Sequence, residues 1–208
     1  MKEKNNPTYN SPEGIIGNAP FDKSPNANDS WAEEQPTTYD SLLKTLNSPE
    51  GKGLRSLIEG LKGDEKLVDL GSGLGSSITK ILVDSGKIKD PIYLDLDKKN
   101  LSASFASGKE VIESNSKINA DAKEVPLKDE SIDIIVSILM MGDNEVNKEE
   151  KKLLIQKEIE RILKNDGLVI TNNGVFGHSE IINEENFEKI VDFRSDRLPL
   201  VIFRKKLP

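Results

Sequence analysis

Residues 67–75 read Leu67-Val68-Asp69-Leu70-Gly71-Ser72-Gly73-Leu74-Gly75. Lys66–Leu70 is a short strand that stops at Gly71, and Ser76–Val83 carries Ile78, Ile81 and Leu82 at helical spacing. Three glycines at alternate positions let the backbone turn sharply and pass close to a ligand with no Cβ in the way. The helix start that follows offers free N–H groups. A tight strand-to-helix turn with no ligand uses the same residues. A nicotinamide-binding loop is a further rival, but it has the pattern G-x-G-x-x-G. Here the third glycine comes one residue early, and Ser76 stands where that pattern has glycine.

Outward from this turn, strands and helices alternate. Pro91–Asp95 is a strand, and Leu101 and Phe105 mark a helix after it. A weaker strand is expected over Lys117–Ala120. Ile132–Leu139 is almost continuously apolar, as in a strand covered on both faces. Ile155, Ile159, Ile162 and Leu163 mark a long helix ending at Asn165-Asp166-Gly167, and Leu168–Thr171 is the next strand. Lys189–Arg194 and Leu200–Lys205 flank Ser195-Asp196 and read as an antiparallel hairpin. Upstream, Ser48-Pro49-Glu50 reads as an N-cap with Pro at the first helical position. Leu54, Leu57, Ile58 and Leu61 then share one face, and Gly63 is expected to close that helix. The expected fold is therefore α/β: a doubly wound, mostly parallel seven-stranded sheet with a C-terminal antiparallel hairpin. In such sheets ligands bind beyond the carboxyl ends of the strands, where the strand order reverses.

A chain of 208 residues suits one domain with a short appendage. The domain is expected over 48–208, behind a polar N-terminal segment, 1–47. The first forty residues hold five of the ten prolines, a composition that does not bury enough surface to offset its ordering entropy. They also hold Tyr9, Phe21, Trp31 and Tyr39, which suit a lid over a ligand. A partly disordered tail and a lid both stay open. With 36 acidic and 29 basic residues the net charge is −7, which disfavours broad contact with a phosphate backbone. The absence of cysteine excludes disulfides, Cys-based metal centres and thiol catalysis; no metal site is expected. No apolar run is long enough to span a membrane, and the first ten residues lack the apolar core of a secretory signal, so the expected compartment is the cytosol.

The residues after each strand are the site candidates. Asp95 ends the second strand, twenty residues beyond Gly75, where a carboxylate can accept from both hydroxyls of a ribose. Asp97 suits a helix cap. Asp121-Ala122 follows the third strand, where an acidic side chain can accept from an exocyclic amine and a backbone N–H can face a ring nitrogen.

In this order LVDLGSGLG (67–75), IYLDLDKKNL (92–101), NADAKEVPLKDESIDIIVSIL (119–139) and KEIERILKNDGLVIT (157–171) resemble the class I S-adenosylmethionine-dependent methyltransferases, and within them the small-molecule, type 11-like branch. The likeness spans roughly Asp64 to Thr171. It implies S-adenosylmethionine as cofactor. It places Asp69 beneath the cofactor's amino-acid end, with Gly71, Ser72, Gly73 and Gly75 wrapping it. Asp95 would hold the ribose, Asp121 and Ala122 would face the adenine, and Ser137, Ile138 and Leu139 would line the sulfonium. Lys164–Gly167 matches a structural turn of the family.

Methyl transfer from a sulfonium is an in-line displacement in which the cofactor supplies the reactivity and the protein supplies orientation. A general base is needed only when the acceptor must lose its proton early, so the catalytic residue is not legible. His178, the single histidine, and Asp143 are the candidates. Met140 and Met141 should rim the pocket. Tyr39 and Trp31 could cap the sulfonium or the acceptor by cation–π contact. The expected function is methyl transfer to a small-molecule acceptor. The alternatives are a non-catalytic cofactor-binding protein of the same fold and a nicotinamide-dependent oxidoreductase. An Asn/Asp-Pro-Pro-Tyr/Phe stretch, typical of amino-directed nucleic-acid methylases, is absent after the fourth strand.

Overall fold

The computed structural model describes residues 9–11, 14–16, 39–72, 76–98, 101, 117–138, 149–172, 182, 185–193 and 200–207. Strands β1 (Tyr9–Ser11) and β2 (Gly14–Ile16) form a separate antiparallel pair. The main sheet comprises β3 (Leu67–Leu70), β4 (Ile92–Asp95), β5 (Lys117–Asn119), β6 (Ile132–Ser137), β7 (Leu163–Asn172), β8 (Phe187–Phe193) and β9 (Leu200–Lys205), ordered β5-β4-β3-β6-β7-β9-β8. From β5 to β7 neighbouring strands are parallel; β9 runs antiparallel to both β7 and β8. The order reverses between β3 and β6, so the carboxyl ends of those two strands flank the switch point. The seven strands, the parallel core and the hairpin agree with the expected fold.

Side chains along each strand alternate between two cores, as a pleated sheet requires. Leu67, Ile134, Val136, Ile170 and Ile202 face α1 (residues 39–46), α2 (Lys52–Gly60) and α3 (Ser77–Asp84). Val68, Leu70, Ile135, Val169 and Val201 face α4 (Glu149–Ile162), which contributes Ile155, Ile159 and Ile162. Tyr39, Leu42 and Leu46 of α1 belong to the first core, together with Leu54 and Ile58 of α2. The polar composition upstream of residue 40 hides this apolar stripe.

Three local expectations change. Ser48 does not cap α2. Its hydroxyl donates instead to the Thr45 carbonyl at 2.7 Å, and Arg55 donates to the Leu46 and Ser48 carbonyls. The carbonyls at the end of α1 lack helical partners and take these donors. Pro49–Gly51 is a single 3-10 turn before α2. The helix α2 ends at Gly60 rather than at Gly63, because Glu65 accepts from the backbone N–H groups of Lys62 and Gly63 and draws them out of helical bonding. Gly63 still takes a left-handed conformation, φ +93°.

The third change is at Asn165-Asp166-Gly167. The helix stops earlier, at Ile162, and Leu163 already pairs with Ile132. Residues 164–167 form an irregularity inside β7, with Asp166 at φ +64°. A Cβ on Gly167 would lie 2.8 Å from the Leu163 side chain and from the Lys164 carbonyl oxygen. Gly167→Ala should therefore destabilise the protein by about 1–3 kcal/mol, the usual cost of overpacking. Urea denaturation would check this, and an unchanged midpoint would contradict it. The helix expected around Leu101 and Phe105 lies mostly outside the described residues.

Candidate functional site

The site begins where β3 ends. Gly71 turns the chain in the left-handed region, φ +68°. Its N–H donates to the Leu94 carbonyl at 2.8 Å, and the Ser72 N–H shares that acceptor at 3.0 Å. The loop's first turn is thus tied to β4 immediately before Asp95. Gly73, Leu74 and Gly75 lie outside the described residues. Ser76 resumes the chain as the N-cap of α3, its Oγ accepting from the Thr79 N–H at 3.2 Å and donating to Thr79 Oγ1 at 2.8 Å.

Asp69, on β3, holds the start of α3. It is buried, and its Oδ2 accepts the Ser76 N–H at 2.9 Å, which joins the last turn of the loop to the strand it leaves. Burial pushes its carboxyl up to about 6, and the charge of Asp95 adds to this; hydrogen bonds from Ser76 and Thr79 oppose it.

Asp95 is also buried at the end of β4, and its Oδ1 accepts the Asp97 N–H at 2.7 Å. Its carbonyl accepts from Asn119 Nδ2 at 3.0 Å and from the Ala120 N–H at 3.2 Å, which sets the end of β5 beside it. Asp121 is half-buried and accepts the Lys123 N–H at 3.0 Å, with the Lys123 ammonium at 3.1 Å. Partial burial raises the Asp121 carboxyl, but the Lys123 N–H, the Lys123 ammonium and Lys151 outweigh it and hold the group below its ordinary range. Ala122 packs against the second core.

Ser137 ends β6, and its carbonyl accepts the Thr171 hydroxyl at 2.8 Å. Its own Oγ and that of Ser72 are buried without a hydrogen-bond partner. A buried hydroxyl left unmade costs about 1–3 kcal/mol, so two of them at one sheet edge suit a polar ligand there. The strand ends thus bring Asp69, Gly71, Ser72, Asp95, Asp121, Ala122 and Ser137 to one edge. Asp143, His178, Met140, Met141 and Trp31 lie outside the described residues.

Tyr39 does not reach this edge. Its hydroxyl donates to Asp84 in the last turn of α3, at the opposite end from the glycine loop, and Lys80 lies 5.0 Å above its ring. Lys80 also pairs with Asp84 at 2.8 Å, so the ring's cation partner is internal. The aromatic ring is accordingly a core side chain, corrected from a cap on the sulfonium.

Leu96 went unread in the sequence. It is 71% exposed between Asp95 and Asp97, an apolar surface next to the site. In the sequence it continues the alternation of Ile92 and Leu94 and so reads as one more strand residue, although β4 stops at Asp95. Among the described residues, no group of three His, Cys, Asp or Glu side chains could hold a metal ion, and no helix is long and apolar enough to cross a membrane.

Residues 68–171 match the family profile described as Methyltransferase domain. That match covers half of the chain. The chain belongs to the class I S-adenosylmethionine-dependent methyltransferases. Solved structures agree on the fold. A Pyrococcus horikoshii protein superposes with a TM-score of 0.55 at 18% identity, covering 77% of this chain and 93% of its own. A proposed S-adenosylmethionine-dependent methyltransferase of Methanococcus maripaludis gives 0.56 at 18% identity, over 86% and 92%. A proposed sarcosine dimethylglycine methyltransferase of Galdieria sulphuraria gives 0.55 at 14% identity, over 82% and 86%. None of the curated proteins matches. The sheet edge built by β3, β4, β5 and β6 is where this methyltransferase fold carries its glycine loop and acidic strand ends, and the family implies S-adenosylmethionine as the methyl donor.

Proposed function

We propose that this methyltransferase domain binds S-adenosylmethionine along the carboxyl edge of β3–β6 and passes its methyl group to a small-molecule acceptor. The observation that carries the reading is the pair of buried, unpartnered hydroxyls beside the switch point: Ser72, two residues beyond the end of β3, and Ser137, at the end of β6. The groups around them fit a nucleoside that carries a cationic amine: carboxylates for the amine and for ribose hydroxyls, beside the two hydroxyls. In this reading Asp69 lies beneath the amino-acid end, with Gly71, Ser72, Gly73 and Gly75 around it. Asp95 accepts from the ribose, Asp121 from the adenine amine, and the Ala122 N–H faces the ring.

When bound, the cofactor supplies an electrophilic methyl on a sulfonium. The chain's own work is orientation. The Asp69–Ser76 bond ties the N-cap of α3 to β3, and the Leu94 carbonyl fixes Gly71 and Ser72 against β4, so these groups are set before a ligand arrives. Asp143 and His178 are the candidates for a base where the acceptor must lose a proton. The net charge of −7 supports a small acceptor over a nucleic acid.

Titration calorimetry with S-adenosylhomocysteine tests the cofactor half: saturable binding is expected, and none at millimolar ligand would sink it. Asp95→Ala should weaken that binding by about 1.5–3 kcal/mol, since charge-assisted hydrogen bonds are lost. Equal affinity in the folded variant would mean that Asp95 does not touch the ribose. Turnover over a panel of small nucleophiles tests the transferase half.

A further inference from the structure

The adenine-facing turn sits on weak footing. β5 is three residues long and, among the described residues, stands at the sheet edge and pairs only with β4. A strand of that size does not by itself hold the residues that follow it to a fixed position. The second anchor comes from the far end of α4. Arg161 spends all five of its N–H donors there. Nη1 reaches the Leu127 carbonyl at 2.8 Å and Asp129 Oδ1 at 2.6 Å. Nη2 reaches the Val125 carbonyl at 2.8 Å and Glu158 Oε2 at 2.7 Å, and Nε reaches Glu158 Oε1 at 3.0 Å.

Glu158 in turn accepts the Val125 N–H at 2.8 Å. The carbonyls of Arg161 and Ile162 accept the N–H groups of Glu130 and Ser131, both at 2.9 Å. Residues 125–131 are therefore laid along α4, with Val125 buried in the core formed with Ile155 and Ile159. The grip passes directly to the turn: the Glu124 N–H donates to the Asp121 carbonyl at 3.0 Å and the Lys123 N–H to its carboxylate at 3.0 Å.

We propose that Arg161, with Glu158, is a positioning residue for the base-reading turn Asp121-Ala122: it sets where the Asp121 carboxylate stands and so sets the preference for an amino-substituted purine. The proposal rests on the cofactor reading above. A lysine cannot substitute, because a point charge with three donors does not reproduce a planar fork that holds two carbonyls and two carboxylates at once.

The test compares S-adenosylhomocysteine with its deaminated form, S-inosylhomocysteine, which presents a carbonyl where adenine has the amine. The wild-type chain should prefer the adenine ligand, because Asp121 accepts from the amine. Arg161→Lys, Arg161→Ala and Glu158→Gln should lower affinity for S-adenosylhomocysteine by about tenfold while leaving S-inosylhomocysteine nearly unchanged, so that the preference shrinks. Glu158→Gln keeps size and shape and serves where an Arg161 variant does not fold. Equal losses for both ligands, or an intact preference, would overturn the proposal. Wild-type protein that binds neither ligand would instead overturn the cofactor reading, and this inference with it.

Discussion

Gly51→Ala should destabilise the protein by about 3 kcal/mol or more, at or beyond the upper end of overpacking effects. A Cβ built on Gly51 would stand 2.3 Å from the Thr45 carbonyl oxygen, 2.6 Å from the Leu46 Cα and 2.8 Å from the Leu46 oxygen. All three are backbone atoms, so no side chain can rotate away. Either α1 lifts from the 3-10 turn at Pro49–Gly51, or that turn moves. Lifting α1 opens the first core at Tyr39, Leu42 and Leu46. In a chain of this size each kcal/mol moves the melting temperature by roughly 2–4 °C, so a fall of about 6–12 °C is expected. A fall of less than 2 °C would show that residues 39–46 do not press on the domain as described.

The second large effect is a pH dependence centred on Asp69. Its carboxyl titrates near 3.8 in its ordinary state and at about 6 when buried in the fold. Below 3.8 both folded and unfolded chains carry the proton, and the stabilising contribution is fully present. As pH rises from about 4 to about 6, the unfolded chain releases its proton first and gains relative to the folded one. The contribution is lost over that window and is gone above it, a total of about 3 kcal/mol. Other carboxylates tilt the whole curve, so the difference between wild type and Asp69→Asn is the quantity to follow. That difference should change across pH 4–6 and level off above pH 6; a flat difference would mean that Asp69 is already ionised in the folded protein at pH 5. In the proposed cofactor site a cationic amine beside Asp69 favours the carboxylate, so affinity for S-adenosylhomocysteine should rise as pH passes 6.

Much of the architecture was legible because the decisive residues act locally. Ile132–Leu139 is almost continuously apolar and so reads as an inner strand, and β6 lies between β3 and β7. The glycines after Leu70 mark a turn that few other residues can make. The strand ends then point to Asp95 and Asp121, while Asp69 and Ser137 are named by the family resemblance. What stayed hidden depends on partners far away in the chain. Ser48 looked like a cap because nothing nearby reveals that the carbonyls of α1 end beside it. Asn165-Asp166-Gly167 looked like a helix stop because pairing of Leu163 with Ile132 is a tertiary contact. Phe187 starts β8 two residues early for a similar reason: it packs in the second core, which also holds Val201 and Phe203. Arg161 reads as one more charge on a helix face until the carbonyls of Val125 and Leu127 are seen beneath it.

The strand order also dictates a schedule. β9 stands between β7 and β8 although it follows both in sequence. During synthesis β7 therefore emerges with one ladder of backbone groups open, and β8 emerges with no strand to join. Both wait for residues 200–205, whose arrival closes two ladders in one step. Until then a nascent chain offers unpaired edges and two exposed phenylalanines, Phe187 and Phe193, to neighbours and chaperones alike.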